Sequence, residues 1–389
     1  MVMTQLTHYR YIDALRGFAF LGVLTVHSCV QAKLPAKLNN IALAGEYGVQ
    51  LFFMLSAMTL MRSVSLRTRE EHFPIRNFFI RRFFRITPLF WTGILIYGLL
   101  DGCRPRQDAP NGLGVWHFVS TFLYLQGWGI TTINSVVPGG WSVAAEMTFY
   151  LCLPFLASRI LSVWQSFYAF LYSLIASIAL GFALEPLIEY IVPQNEFGLV
   201  RWFLYRWFPS QLPYFLLGFL VYYCLLNKNL MEVLTKPERP TMLLFSAICG
   251  MIVFSSALMD DRLISHDVLR IFFGITFAVI IIALAARPLR LFVNPLTCGL
   301  GVISFSCYIT QFAVFRIVAH FINLKQFGFL SPHLASVFYY LVTWLSGLSL
   351  TVAASLLTYN LIEKPGMKLG TWIIRISEAQ YAKKMAICA

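Results

Sequence analysis

Three polar side chains interrupt a hydrophobic segment that runs from Tyr11 to Val30. This segment has about 20 residues, the length of a helix that crosses the bilayer core. Arg16 and His27 lie 11 positions apart, so at about 100° per residue they project from one helix face, about 16 Å apart along the axis. Asp13 lies three residues before Arg16 and can pair with it. A polar stripe on a spanning helix faces protein or a water-filled cavity and is a candidate for proton transfer or ligand binding.

The alternative interpretation gives this stripe no function. Arg16 would then extend its guanidinium to the membrane interface, and His27 would form a hydrogen bond inside the helix bundle. We expect the segment to stay in place as a helix rather than to be removed as a signal peptide. Its apolar run is too long and is interrupted by Asp13, Arg16 and His27, and no cleavage site of the A-x-A type follows.

A second polar stripe is predicted on the helix that begins near residue 140. Ser142, Glu146 and Tyr150 are spaced by four residues and line one face, directly after Trp141. A carboxylate inside a hydrophobic run needs a partner or a raised pKa, because the burial of a bare charge is very costly. His27 and Arg16 are the candidate partners of Glu146, and a purely structural buried pair is the alternative.

The stretch from Arg62 to Arg85 is the most basic part of the chain. Arg82 and Arg85 are three residues apart and share a helix face. Because the planar guanidinium donates two hydrogen bonds at once, this pair is a candidate site for phosphate. The alternative is that these arginines only determine the orientation of the chain in the membrane. Ser56, in the preceding hydrophobic segment, is a candidate polar contact, with a hydroxyl bonded to its own helix as the alternative.

Ten hydrophobic segments position these side chains, and they lie near residues 12–31, 43–62, 84–101, 140–158, 164–184, 211–227, 241–259, 268–286, 300–322 and 335–360. We therefore predict an all-α, polytopic integral membrane protein with about ten transmembrane helices. If the N-terminus is cytoplasmic, about 20 of the 30 Lys and Arg residues lie on the cytoplasmic side, so both termini are predicted to be cytoplasmic. Residues 1–366 would form the membrane domain and 367–389 a cytoplasmic tail.

Composition excludes several classes of protein. The chain is 58% hydrophobic and only 12% charged, about half the charged share of a soluble domain. The net charge of +13 comes from bases in connecting loops, where topology and anionic headgroups require them, so we predict no nucleic-acid partner. The eight cysteines are scattered, without CxxC or paired histidines at ligand spacing, and we predict no metal site and no disulfide framework.

Several motifs, taken in order, resemble those of the acyltransferase-3 family of integral-membrane acyltransferases. They are Ile12-Asp13-Ala14-Leu15-Arg16-Gly17 with His27, Phe52-Phe53 with Ser56, Arg82-x-x-Arg85 with Pro88, Trp141-Ser142 with Glu146, Phe149-Tyr150 and Pro154, and Glu363-Lys364-Pro365. The resemblance covers residues 11 to about 366. Each motif alone is weak, whereas all of them in register with ten spans are specific. The chain departs from the family at Gln50, Ala57 and Gln311, where Asp, Gly and often His are usual.

This resemblance implies transfer of an acyl group, usually acetyl from acetyl-CoA as co-substrate, to a hydroxyl group. The implied acceptor is a cell-surface or lipid-linked carbohydrate, as in the modification of exopolysaccharide or lipopolysaccharide, at the inner (plasma) membrane. It implies a catalytic role for His27 and, for Arg16, Arg82 and Arg85, a role in activity by holding the donor. Larger members of the family carry a fused extracytoplasmic hydrolase-like domain, and none is predicted in this sequence.

Our mechanistic hypothesis is that His27 acts as general base on the acceptor hydroxyl and that Glu146 orients the imidazole. A covalent acyl-imidazole on His27 is the open alternative. Arg82 and Arg85 would bind CoA phosphates, and the supporting residues would be Asp13, Ser56, Trp141, Ser142 and Tyr150.

Two other classes of function stay open. A glycan or lipid transporter or flippase is the first, since intramembrane charges also suit transport, although inverted repeats are absent from the sequence. A structural subunit of a glycan-synthesis complex is the second.

Overall fold

The computed structural model describes residues 9–29, 32–258 and 266–388. The ends of two predicted spans, at 30–31 and 259, lie outside these ranges. The helices are, in chain order, α1 (Arg10–Cys29), α2 (Ala36–Leu43), α3 (Gly48–Arg67), α4 (Pro74–Asp101), α5 (Val115–Phe122), α6 (Gly140–Arg159), α7 (Val163–Ile191), α8 (Phe197–Arg206), α9 (Phe208–Leu226), α10 (Lys228–Val233), α11 (Glu238–Leu258), α12 (His266–Ala286), α13 (Pro295–Val302), α14 (Ser304–Phe321), α15 (Pro332–Thr358) and α16 (Lys364–Cys388). Within the described ranges no β-strand forms.

The helices match the predicted spans. Nine helical stretches in the described residues are long and apolar enough to cross a membrane. The pair α13 and α14, bent by 78°, makes a tenth if it counts as one span. The prediction of an all-α, multi-pass membrane protein with about ten spanning helices is therefore confirmed, whereas the cytoplasmic location of the termini stays a prediction. The segment predicted as a tail forms most of α16, and whether it lies in the cytoplasm also stays a prediction.

The helices divide into two compact units. The first comprises the described parts of Met1–Leu55, Tyr223–Cys307 and Val314–Val352. The second comprises Ser56–Tyr222, Tyr308–Ala313 and the described part of Ala353–Ala389. The stripe of Asp13, Arg16 and His27 therefore belongs to the first unit, and the stripe of α6 belongs to the second.

In the first unit, α1 packs closely on α13. Asn294 caps the N-terminus of α13, since its side chain accepts hydrogen bonds from the backbone N–H groups of Leu296 and Thr297, both at 3.1 Å. Pro295 occupies the first turn, where a proline is favourable. Glycines then allow the two backbones to approach. A Cβ atom at Gly301 would overlap the carbonyl oxygen of Asp13. The turn of α1 that carries Asp13 is thus held directly against α13.

We expect Gly301→Ala to destabilise the protein, because the added methyl group meets backbone rather than a flexible side chain. Such overpacking costs about 1–3 kcal/mol, which should lower the thermal unfolding midpoint of the purified protein by several degrees. Gly299→Ala is the matched control, since a Cβ atom there meets nothing within 4 Å. Equal unfolding midpoints for the two variants would contradict the close packing of α1 on α13.

In the second unit, the first half of α4 runs antiparallel to α16. Gly366 of α16 faces Phe84 and Pro88 of α4, and Gly370 faces Phe84. Further along, the Glu378 carboxylate accepts hydrogen bonds from the Asn77 side chain at 2.7 Å and from the backbone N–H of His72 at 3.1 Å. These contacts fix the start of α4, where the arginine-rich motif lies.

Candidate functional site

Glu146 accepts two short hydrogen bonds in the second unit. The Ser56 hydroxyl of α3 donates to its Oε1 at 2.6 Å, and the Tyr150 hydroxyl, one turn further along α6, donates to the same oxygen at 2.6 Å. Ser56 and Tyr150 are buried, while Glu146 is half-buried. The pairing of Tyr150 with Glu146 follows the four-residue spacing from which the polar stripe was predicted.

Arg82 of α4 lies beside this group. Its guanidinium carbon is 5.9 Å from the centre of the Tyr150 ring, within the range of a cation–π contact. The edge of Phe78, one turn before Arg82, packs against the same tyrosine ring with a centroid distance of 5.9 Å. The buried Tyr150 side chain thus contacts a cation through its ring and a carboxylate through its hydroxyl group.

Arg85, one turn after Arg82, contacts an acid from a distant part of the chain. Its Nη1 is 2.7 Å from Oε1 of Glu363 and 3.0 Å from the Met367 sulfur. Glu363 is completely buried and closes the π-helical turn Tyr359–Glu363. The predicted face shared by Arg82 and Arg85 therefore exists, but the structure gives the two guanidinium groups different surroundings.

A polar cluster holds the loop between α3 and α4. Arg81 donates to both oxygens of Glu71, at 2.9 and 3.0 Å, and Arg67 pairs with Glu71 at 2.9 Å. Partial burial would by itself raise the pKa of Glu71, but hydrogen bonds from Arg81, Asn77 and Arg67 outweigh burial and lower this pKa from its ordinary value of 4.5. The basic stretch is thus partly neutralised by acids of the same unit.

Acidification should weaken this cluster. Because the pKa of Glu71 is lowered on folding, its contribution to stability is fully present above the unfolded pKa and is lost as the pH falls through the folded pKa. We expect Glu71→Gln to lower the free energy of unfolding by about 1 kcal/mol at pH 7. The difference from the wild type should shrink between about pH 6 and pH 3 in thermal unfolding. The exposed neighbour gives the control Glu70→Gln, and a pH-independent effect at Glu71 would contradict the role of its ionised form.

The predicted residues Trp141 and Ser142 lie in the first turn of α6. The Ser142 hydroxyl lies 2.9 Å from both the Gly139 carbonyl oxygen and the Tyr308 hydroxyl. Gly139 adopts φ +77°, and a Cβ atom there would be 2.8 Å from the Tyr308 hydroxyl, so only glycine suits this turn. Trp141 is buried, with its ring 6.2 Å from that of Tyr205. These residues build the entry to α6.

In the first unit, α1 presents Asp13, Arg16 and His27. The predicted pair forms, with Arg16 Nη1 at 3.7 Å from Asp13 Oδ1. Asp13 is buried, and Arg16 and His27 are half-buried. His27 lies in the last turn of α1, which ends at Cys29. The structure thus places all three in or next to protein rather than fully exposed, and the role of Glu146 in orienting His27 stays a prediction.

Sequence reasoning missed several residues that shape the site. Glu363 belongs to the quoted Glu363-Lys364-Pro365 motif, and an acid next to a proline at a helix end was an available signal. The role of Tyr308 could have been sought in the polar segment that follows Ser304. Glu71 and Glu378 gave no signal, since both lie in stretches that looked like solvated loop and tail. At two departures from the family pattern, Gln50 and Gln311 are both completely buried.

Comparison with known proteins identifies the family. Residues 9–360 match the family model described as an acyltransferase domain. The chain belongs to the acyltransferase-3 family. In the part of the chain that the structure describes, no cluster of three or more His, Cys, Asp or Glu side chains could hold a metal ion. No solved structure matches this acyltransferase-family chain.

Three relatives resemble parts of this family member. It is 30% identical over 151 residues to "Acyltransferase MdmB" of Streptomyces mycarofaciens. It is 31% identical over 166 residues to "Putative peptidoglycan O-acetyltransferase YrhL" of Bacillus subtilis and 28% identical over 156 residues to "Peptidoglycan O-acetyltransferase OatA" of Listeria monocytogenes. Each match covers 37 or 38% of this chain, and it covers 38%, 24% and 23% of the respective relatives.

Proposed function

We propose that this protein is a membrane O-acyltransferase that moves an acyl group, most simply acetyl, from acyl-CoA to a hydroxyl of a cell-envelope carbohydrate. The observation that carries the proposal is the family match over residues 9–360. The sequence carries His27, Arg16, Arg82 and Arg85, the residues to which the family resemblance gives a role in activity. Two of the similar proteins are named as peptidoglycan O-acetyltransferases, which supports a glycan acceptor. The proposed location is the inner (plasma) membrane, with membrane lipid as a partner.

The proposed reaction divides between two sets of residues. His27 accepts the proton of the acceptor hydroxyl as the oxygen attacks the thioester carbonyl. The tetrahedral intermediate then collapses, the carbon–sulfur bond breaks, and the CoA thiolate leaves and takes up the proton held by the His27 imidazolium. Glu146, with its two hydroxyl donors, supplies a fixed negative charge that favours the transient imidazolium. The donor site lies at the Arg82-x-x-Arg85 motif of α4, because a guanidinium group binds phosphate in two-pronged hydrogen bonds.

The proposal is tested with the purified full-length protein in lipid vesicles, with acetyl-CoA labelled in the acetyl group and peptidoglycan fragments or purified surface polysaccharide as acceptors. Release of free CoA thiol together with label in the saccharide is the expected result. Alkali should release the label, since an ester of a sugar hydroxyl is base-labile. Movement of the saccharide across the vesicle membrane without thiol release would instead show a transporter. If the protein shows neither acyl transfer nor transport, the hypothesis of a structural subunit is the one that remains.

A further inference from the structure

We infer that the two arginines of the motif on α4 have separate tasks: Arg82 is the residue that binds a phosphate of the donor, and Arg85 is a positioning residue held by Glu363. The inference rests on the proposed function, because it takes acyl-CoA as the anionic ligand. It assigns to Glu363 the role of orienting Arg85 and neutralising its charge.

The position of Glu363 follows from the sequence. Pro365 has no backbone N–H, so it cannot donate to the carbonyl of the residue four positions earlier, and its ring crowds that carbonyl. The helix relaxes into the π-helical turn Tyr359–Glu363, in which the Lys364 N–H donates to the Tyr359 carbonyl. Single π-helical turns of this kind occur frequently at functional sites. Here the turn brings a completely buried carboxylate to α4.

The charge of Arg85 is compensated by its ion pair with Glu363. Its Nη1 lies 2.7 Å from a Glu363 oxygen, and the exposed fraction of the Glu363 side chain is 0%. A carboxylate without access to water requires a cation nearby, and removal of that cation leaves a buried charge uncompensated. A guanidinium that moved away to bind a phosphate would have to abandon Glu363. Arg85 therefore stabilises the junction of α4 with the π-helical turn rather than binding the ligand.

Arg82 differs from its neighbours on α4. Arg81 is paired with Glu71 and Arg85 with Glu363, whereas the described residues place no carboxylate within salt-bridge distance of Arg82. The Nε atom of Arg82 is buried and donates no hydrogen bond within the described part of the chain. A buried N–H donor without an acceptor is energetically costly, and a guanidinium group forms its strongest hydrogen bonds with an anion, so we expect an anionic acceptor here. The Tyr150 ring, 5.9 Å from its guanidinium carbon, supports this side chain from one side.

The phosphates of CoA fit this requirement. A phosphate offers several oxygen acceptors to the Nε and Nη groups of one guanidinium, in the two-pronged geometry that arginine favours. Arg82 also lies close to Tyr150, whose hydroxyl donates to Glu146. The group that binds the donor and the carboxylate assigned to catalysis thus contact the same tyrosine.

The experiment uses four variants of the full-length protein in lipid nanodiscs: Arg82→Gln, Arg85→Gln, Glu363→Gln and the double variant Arg85→Gln with Glu363→Gln. Two quantities are measured for each, the thermal unfolding midpoint and the KM for acetyl-CoA. The double variant removes both charges and keeps the side-chain size, so it separates loss of a ligand contact from loss of a buried partner.

We expect Arg82→Gln to keep the wild-type unfolding midpoint and to raise the KM for acetyl-CoA about 10- to 100-fold, the effect of losing a hydrogen bond to a charged group. Arg85→Gln should lower the unfolding midpoint by several degrees. The double variant should recover most of that loss and raise KM by less than the Arg82 variant does. A double variant with a KM as high as that of Arg82→Gln, or without recovery of the midpoint, would overturn the division of tasks.

Failure of the proposed function can be recognised separately. If the wild-type protein does not turn over acetyl-CoA, the increase in its unfolding midpoint caused by CoA alone is measured instead. A CoA-induced increase that is lost in Arg82→Gln and kept in the double variant would support the inference in the absence of turnover. No CoA-induced change in the wild type would overturn the role of Arg82. The recovery of stability in the double variant tests the Arg85–Glu363 pair in either case.

Discussion

Replacement of His27 by Ala is expected to lower kcat for acetyl transfer by at least about 100-fold, the lower end of what a general base contributes. The imidazole sits half-buried in the last turn of α1, and the proposed mechanism assigns it the proton of the acceptor hydroxyl. The protein should still reach the membrane at the wild-type level, since the substitution removes no backbone contact. The rate of thiol release from acetyl-CoA is the measurement.

His320→Ala provides the control for this prediction. His320 is an exposed histidine of α14 in the same unit as His27, and its replacement should change kcat by less than about twofold. A His27→Ala protein that keeps more than a tenth of the wild-type kcat would rule out the catalytic assignment.

The two forms of the His27 mechanism also differ in a measurable way. If His27 carries the acyl group covalently, incubation with labelled acetyl-CoA but without acceptor should leave about one label per protein molecule and release the same amount of thiol in a burst. If His27 acts only as a base, no label should stay on the protein.

The second large effect is expected at Glu146. Glu146→Gln should lower kcat by about 100- to 10,000-fold, because groups that orient or compensate a catalytic imidazole have effects of this size. The stability of the protein should change little. The Gln side-chain oxygen can still accept the hydrogen bonds that Ser56 and Tyr150 donate to the carboxylate at 2.6 Å. The charge is thus removed while the shape and the acceptor are kept, and kcat and the unfolding midpoint are measured together.

Two comparisons sharpen the Glu146 prediction. Ser56→Ala and Tyr150→Phe each remove one donor and should each cost about 1 kcal/mol of stabilisation of the carboxylate, with a smaller fall in kcat than Glu146→Gln. Glu189→Gln is the control, because it removes a carboxylate from α7 of the same unit at a position outside the family motifs. If Glu146→Gln unfolds at a much lower temperature and the folded fraction keeps the wild-type kcat, Glu146 is structural.

The transmembrane spans could be predicted from the sequence because a helix that crosses the bilayer needs a run of about 20 apolar residues. The ends of the helices could not be predicted in this way. α4 begins at Pro74, whereas the hydropathy pattern placed the span at 84–101. Hydropathy reports where a helix meets lipid, while a helix continues wherever its backbone hydrogen bonds close and partners hold it. In α4 these partners are Glu71 and the α16 residue Glu378, which contact the polar first turns.

Spacing along one helix predicted local contacts of the site but not distant ones. Arg16 with Asp13, and Tyr150 with Glu146, lie three and four residues apart and pair as their positions on a helix require. Ser142 follows the same spacing, yet its hydroxyl contacts the Tyr308 hydroxyl from α14. Periodicity places a side chain on a face, and the neighbouring helix decides what it contacts.

The sequence by itself determined that this chain is a multi-pass helical membrane protein with the motif residues of a membrane acyltransferase, because apolar length and residue type are local properties. Only the tertiary structure decided how the charges pair. Arg85 is neutralised by Glu363 and Arg81 by Glu71, whereas Arg82 keeps a buried donor without an acid partner among the residues that the structure describes. Arginines next to each other in sequence are chemically alike, and their surroundings differ because folding brings carboxylates from distant segments to some of them and not to others.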